Sequence, residues 1–115
     1  MDFRLTFSVE FYNDLDCALD YITNTLDNPK YAYKLWEDVQ EKAELINKSP
    51  YLFPIYHQIE AAAKMGFRKA IVNDYLLFFH INEELGIITI DSFIHSKRDF
   101  NEIFNTFQKI LDNAE

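Results

Sequence analysis

The sequence predicts an α+β domain in the order β-α-α-β-β-β, an antiparallel sheet packed against an N-terminal helical hairpin, with a further helix at the C-terminus. Three observations predict it. The first residues alternate between apolar and polar, two consecutive segments repeat apolar residues at helical spacing, and three short β-branched or aromatic runs follow one another across tight turns. A chain of 115 residues holds one core, so residues 1–115 are read as a single domain.

Phe3, Leu5 and Phe7 share one face and Arg4 and Thr6 the other, which is the period of a half-buried strand. Ser8 is placed to cap the helix that follows. Tyr12, Leu15, Leu19, Ile22 and Leu26 form its apolar stripe, with Asp14, Asp16 and Asp20 along its wet side. Asn28-Pro29 reads as an N-cap followed by proline at the first helical position, where no N–H is needed. Ala32, Leu35, Trp36, Val39, Ala43 and Ile46 carry the second stripe until Ser49-Pro50 stops it, because the residue before proline avoids the helical region.

Residues 50–66 read as an ordered connection with a brief helical turn at Ala61-Ala62-Ala63. Strands are expected over Phe67–Val72, Tyr75–Ile81 and Ile87–Ile94, joined at Asn73-Asp74 and at Asn82 to Gly86. Leu76-Leu77-Phe78-Phe79 is apolar on both faces, so the middle strand requires cover on two sides. The hairpin supplies one cover. Phe100, Ile103, Phe104, Phe107, Ile110 and Leu111 repeat at helical spacing and supply the other.

Composition bounds the function. Apolar residues make up 49% of the chain and aromatics 17%, which is ample material for a folded core. Cys17 is the one cysteine, which excludes an intrachain disulfide and a cysteine-rich zinc site. The opening residues lack a basic stretch followed by a long apolar run, and no segment has the apolar length of a membrane span, so a cytoplasmic protein is expected. A net charge of −8 opposes broad attraction to nucleic acid. The basic residues that do cluster are Lys64, Arg68 and Lys69, and the pair Lys97-Arg98.

The order of elements resembles the RelE/ParE family of toxins from type II toxin–antitoxin systems. The local features that carry the resemblance are Asp20-Tyr21-Ile22 at the end of the first helix and Asn28-Pro29 opening the second. They continue with Gly66-Phe67-Arg68, Tyr75-Leu76-Leu77-Phe78-Phe79 and His95-Ser96-Lys97-Arg98-Asp99. The resemblance implies a growth-inhibiting toxin neutralised by a cognate antitoxin. RelE-like members cut mRNA in the ribosomal A site, whereas ParE-like members poison DNA gyrase by binding it. A third reading is a degenerate, non-toxic member that only binds its antitoxin.

RNA cleavage through the 2′-hydroxyl needs a base, an acid and cations on the phosphorane. His95 has the chemistry of a base or acid, Arg98 and Arg68 that of phosphate stabilisers, and these three are the catalytic candidates. Lys69, Lys97 and Tyr75 are the candidate contacts to substrate or target. A cluster of this kind requires the loop before residue 67 and the turn after residue 94 to reach a common face. The bland readings are equally definite: His95 as a strand-end histidine bonded to nearby backbone, Arg98-Asp99 as the start of a helix, and Arg68 and Lys69 on opposite faces of one strand.

Two departures from the family pattern weigh against nuclease chemistry. Leu76 stands where many RNA-cutting members place an arginine, and an acidic amphipathic segment from Phe100 onward replaces their basic tail. Phe100, Phe104 and Phe107 are read mainly as core, with antitoxin binding as their functional alternative. His80, on an apolar strand, reads as a core or rim histidine, and His57 has no spaced partner, so neither a metal nor a cofactor is expected.

Overall fold

The alternation at the start of the chain folds as strand β1 (Arg4–Phe7), and Ser8 then caps helix α1 (Val9–Asp20) by accepting the Phe11 N–H at 3.0 Å. The computed structural model describes residues 3–113; Met1, Asp2, Ala114 and Glu115, the ends of the span expected as one domain, lie outside the described residues. The expected first helix does not run unbroken to Leu26. α1 passes into a π-helical turn, Tyr21–Thr25, and Asp27 closes it with a positive φ of 52°.

Helix α2 (Pro29–Lys48) begins as anticipated, with the Asn28 side chain accepting the Tyr31 N–H and proline in the first turn. Pro50–Leu52 forms a short 3-10 turn and Glu60–Lys64 the brief helix α3 at the alanines. Gly66 then turns the chain at a φ of +80°, a conformation open to glycine because it has no Cβ. β2 (Arg68–Val72), β3 (Tyr75–Asn82) and β4 (Ile87–His95) follow, and α4 (Phe100–Asn113) ends the described chain.

The four strands lie in the order β1-β4-β3-β2. β2, β3 and β4 pair antiparallel, as two hairpins demand. The expectation of a wholly antiparallel sheet is corrected at one seam, where β1 runs parallel to β4 from Arg4 beside Ile87 to Phe7 beside Ile90. No hairpin joins these two strands, so nothing local dictates their relative direction.

Both faces of β3 are buried, which explains its unbroken apolar run. On one face Leu77 and Phe79 join Ile88, Ile90 and Phe93 beneath Phe11, Leu15 and Ile22 from α1 and its extension and Leu35, Val39 and Ile46 from α2. On the other face Phe78 and Ile94 meet Tyr56, Ile59 and Phe67, with Ile103 and Phe107 of α4 closing the cluster. Tyr12, Leu26 and Trp36, assigned to the apolar stripes, instead stay exposed. Phe11 takes the core position beside Leu15, so the buried stripe of α1 lies one residue away from Tyr12. Among the described residues, no helix is long and apolar enough to cross a membrane.

Candidate functional site

The sheet register decides which of the expected site residues meet. Tyr75 opens β3 and lies beside His95, the last residue of β4, whereas Arg68 opens β2 and lies beside Phe79. Along β2, Arg68 stands four residues from Val72, the neighbour of Tyr75. At about 3.3 Å per residue that is roughly 13 Å of strand before the distance across the sheet is added. The loop before residue 67 and the turn after residue 94 therefore sit at opposite ends of the sheet. Arg68 and His95 share a face of the sheet but stand at its opposite ends, so the shared site expected for them is not formed, because two successive antiparallel pairings return the chain to the far end.

At the β3–β4 end a cleft of about 440 Å³ opens against α1, lined by Asp14, Cys17, Ala18, Tyr21, Tyr75, Phe93, His95 and Arg98. Tyr75 lies flat on Phe93, with centroids 4.5 Å apart and planes 7° apart, and His95 meets the Tyr75 ring edge-on at 5.1 Å. The Lys97 N–H donates to Nδ1 of His95 at 3.1 Å, which leaves Nε2 as the proton-bearing nitrogen of the neutral imidazole and the one open to a partner. Arg98 Nε lies 3.6 Å from Glu102, and the Arg98 N–H donates to the His95 carbonyl at 3.1 Å.

Three of the expected residues, Tyr75, His95 and Arg98, are thus brought together, and the backbone of Lys97 holds the imidazole among them. Arg68 and Lys69 are not part of this cleft. The Arg68 guanidinium donates to the Phe53 carbonyl and sits 5.2 Å from the centre of the Tyr51 ring, pinning the connection before α3 to the sheet. Lys69 projects from the opposite face, 6.0 Å from the centre of the Tyr56 ring. Phe100 and Phe104 are exposed and pack against each other on α4, while Phe107 is fully buried in the core.

Sequence reasoning missed Asp14, Cys17 and Tyr21 as cleft residues. Asp14 was expected on the wet side of α1, yet it is half-buried and its Oδ2 accepts the Phe93 N–H at 3.1 Å. Burial pushes its carboxyl above the ordinary carboxylate range, opposed by the Phe93 N–H and the nearby Arg98 charge. Burial likewise raises the Tyr75 hydroxyl, helped by Tyr31, Asp74 and Tyr21 and opposed by Arg98. The available signal was the spacing of Asp14, Ala18 and Tyr21, which share one flank of a helix. Tyr21 also begins the π turn, and such turns recur at functional sites because the extra residue re-aims side chains.

On the other face of the sheet, a β-bulge between Phe78 and Phe79 turns Asp91 towards His80, and Nδ1 of His80 lies 2.7 Å from Oδ2 of Asp91. His80 is therefore the rim histidine expected from its strand. The bond to Asp91 holds its imidazole above the ordinary 6.5, with desolvation opposing, while burial raises the Asp91 carboxyl. A histidine with a raised folded value stabilises the fold fully below its ordinary value and loses that contribution as pH climbs through the folded one. The raised Asp91 carboxyl has the same sign, because a group that holds its proton more tightly in the folded state also loses that contribution as pH rises. The urea midpoint is expected to fall as pH rises past neutrality, and Asp91→Asn should flatten that dependence; an unchanged slope in the variant would refute the pairing. Among the described residues, no group of three or more His, Cys, Asp or Glu is arranged to hold a metal ion.

Residues 5–100 match the family described as the ParE toxin of the type II toxin–antitoxin system parDE. Comparison with curated proteins gives no match. Among solved structures, the chromosomal ParDE system from P. aeruginosa is similar at a TM-score of 0.67 and 16% identity, over 83% of this chain and 97% of that one. The toxin–antitoxin complex RelBE2 from Mycobacterium tuberculosis is similar at a TM-score of 0.57 and 19% identity, over 83% of this chain and 99% of that one. The archaeal RelE-RelB complex from Pyrococcus horikoshii OT3 gives 0.54 and 13% identity, over 86% and 100%. At these identities the likeness is one of fold.

Proposed function

The chain belongs to the ParE toxin family of type II toxin–antitoxin systems, and from that premise we propose that it inhibits growth by binding DNA gyrase and not by cutting mRNA. The observation that carries this reading is the separation of Arg68 from His95 along the sheet. Stabilising a phosphorane takes converging cations aimed at one point. Here Arg98 is the cation of the cleft, it is drawn towards Glu102, and the Asp14 carboxylate faces the same space. Leu76, in place of a family arginine, packs against the cluster under α4. The charge of −8 adds long-range repulsion towards ribosomal RNA.

In this reading Tyr75, His95, Lys97 and Arg98 form a contact surface for the target. The neighbours solved as complexes support a cognate antitoxin as the second partner. Phe100 and Phe104 offer it an exposed aromatic pair, and Phe107 becomes reachable only if α4 lifts. Expression of the protein alone is expected to stop growth and relax plasmid supercoiling while mRNA stays intact, and co-expression of the adjacent reading frame should restore growth. Cleaved mRNA with normal supercoiling would move the assignment to the nuclease branch. No effect on growth would point to a member that only binds its antitoxin.

A further inference from the structure

We propose that the cleft between α1 and the β3–β4 rim receives a basic side chain, an arginine or lysine, from the cognate antitoxin; this rests on the antitoxin partnership argued above. Its floor and walls have the chemistry that holds a cation. Asp14 projects a half-buried carboxylate into the cleft, and Oδ2 takes the Phe93 N–H. Among the described residues, no cation lies within ion-pair distance of that carboxylate, and Arg98, which shares the cleft, engages Glu102. Beside it, Tyr75 is held flat against Phe93, and Tyr21 stands half-exposed at the mouth. A guanidinium stacks on tyrosine rings and reaches a carboxylate at their edge, and the gain is greatest where water is excluded.

The surrounding charge points the same way. Glu10 acts on Asp14 and Asp74 acts on Tyr75, and among the described residues Arg98 is the cation that opposes them. An acidic protein with a carboxylate at the base of an aromatic cleft attracts a basic segment and repels a phosphate. Filling the cleft would also cover His95 and Arg98, the residues assigned to target contact. Neutralisation would then follow from occlusion, with no change in the fold required.

The test uses the full chain and the separately purified product of the adjacent reading frame. Asp14→Asn keeps an oxygen for the Phe93 N–H and removes the charge, while Tyr21→Ala removes an exposed ring, so one variant reports if the other fails to fold. Each is expected to weaken antitoxin binding at least tenfold, and Asp14→Asn should also flatten its salt dependence. A scan of the antitoxin's arginines and lysines to alanine should find one whose loss costs tenfold against the wild-type chain and nothing against Asp14→Asn. Affinity within twofold of wild type for both variants, or a scan in which every effect adds to that of Asp14→Asn, would overturn the assignment of the cleft alone. A wild-type chain that binds no antitoxin would overturn the partnership as well, and the two failures are separated by that first measurement.

Discussion

Phe107→Ala is expected to lower the free energy of unfolding by about 3–5 kcal/mol, the range for deleting a fully buried aromatic ring. The ring is completely shielded from solvent. It stacks on Tyr56 at 5.6 Å and meets Phe67 at 5.3 Å and Phe78 at 4.8 Å edge-on. Truncation removes the transfer free energy of the ring, leaves a cavity among three other aromatics, and forfeits their edge-to-face contacts. Small domains hold only about 5–15 kcal/mol in total, so this one change threatens the fold. Phe104→Ala, three residues earlier on the exposed side, should cost under about 0.5 kcal/mol. Urea denaturation of the two variants checks both values. A cost below about 1 kcal/mol for Phe107→Ala would mean that α4 does not close the second core, and it would make Phe107 available as an antitoxin anchor.

That contrast also shows what the sequence could and could not convey. The stripe of α4 was legible in part: helical spacing places Ile103, Phe107 and Ile110 on one side and the doubly apolar β3 required something to cover its second face, but the same stripe counted Phe100 and Phe104, which stay exposed. The caps at Ser8 and Asn28 and the stop at Pro50 were legible because each rests on local backbone chemistry. Pairing was not local. Alternation in β1 specifies a buried face but neither its neighbour nor its direction, so the parallel seam with β4 emerged only from the assembled sheet.

The same limit governed the site. His95 and Arg98 were found because they are close in sequence to the end of one strand, and Tyr75 because it opens another. Arg68 was grouped with them on residue type, and the register then separated them. Asp14 was placed in solvent because helical periodicity assigns polar residues outward; the Phe93 N–H that draws it inward belongs to a strand 79 residues away. The π turn at Tyr21 was invisible for a similar reason, since its residues continue a helical pattern and the extra residue per turn leaves no mark in composition.

The separation of the two arginines yields the second large effect. Arg98→Ala is expected to reduce inhibition of gyrase supercoiling at least tenfold while changing stability by less than about 0.5 kcal/mol, because its pairing with Glu102 is exposed and contributes little to folding. Its backbone N–H, which supports the turn after β4, survives the substitution. Arg68→Ala should do the reverse. It strands the Phe53 carbonyl and removes the cation from the Tyr51 ring, a loss of about 1–3 kcal/mol. Supercoiling inhibition, measured well below the unfolding transition, should stay within twofold. A supercoiling titration and a urea curve on each variant give four numbers, and the reading requires them to cross: activity lost without stability at residue 98, stability lost without activity at residue 68. Loss of activity at both positions with stability intact would mean that the gyrase contact runs along the whole length of the sheet and is not confined to the cleft at its β3–β4 end.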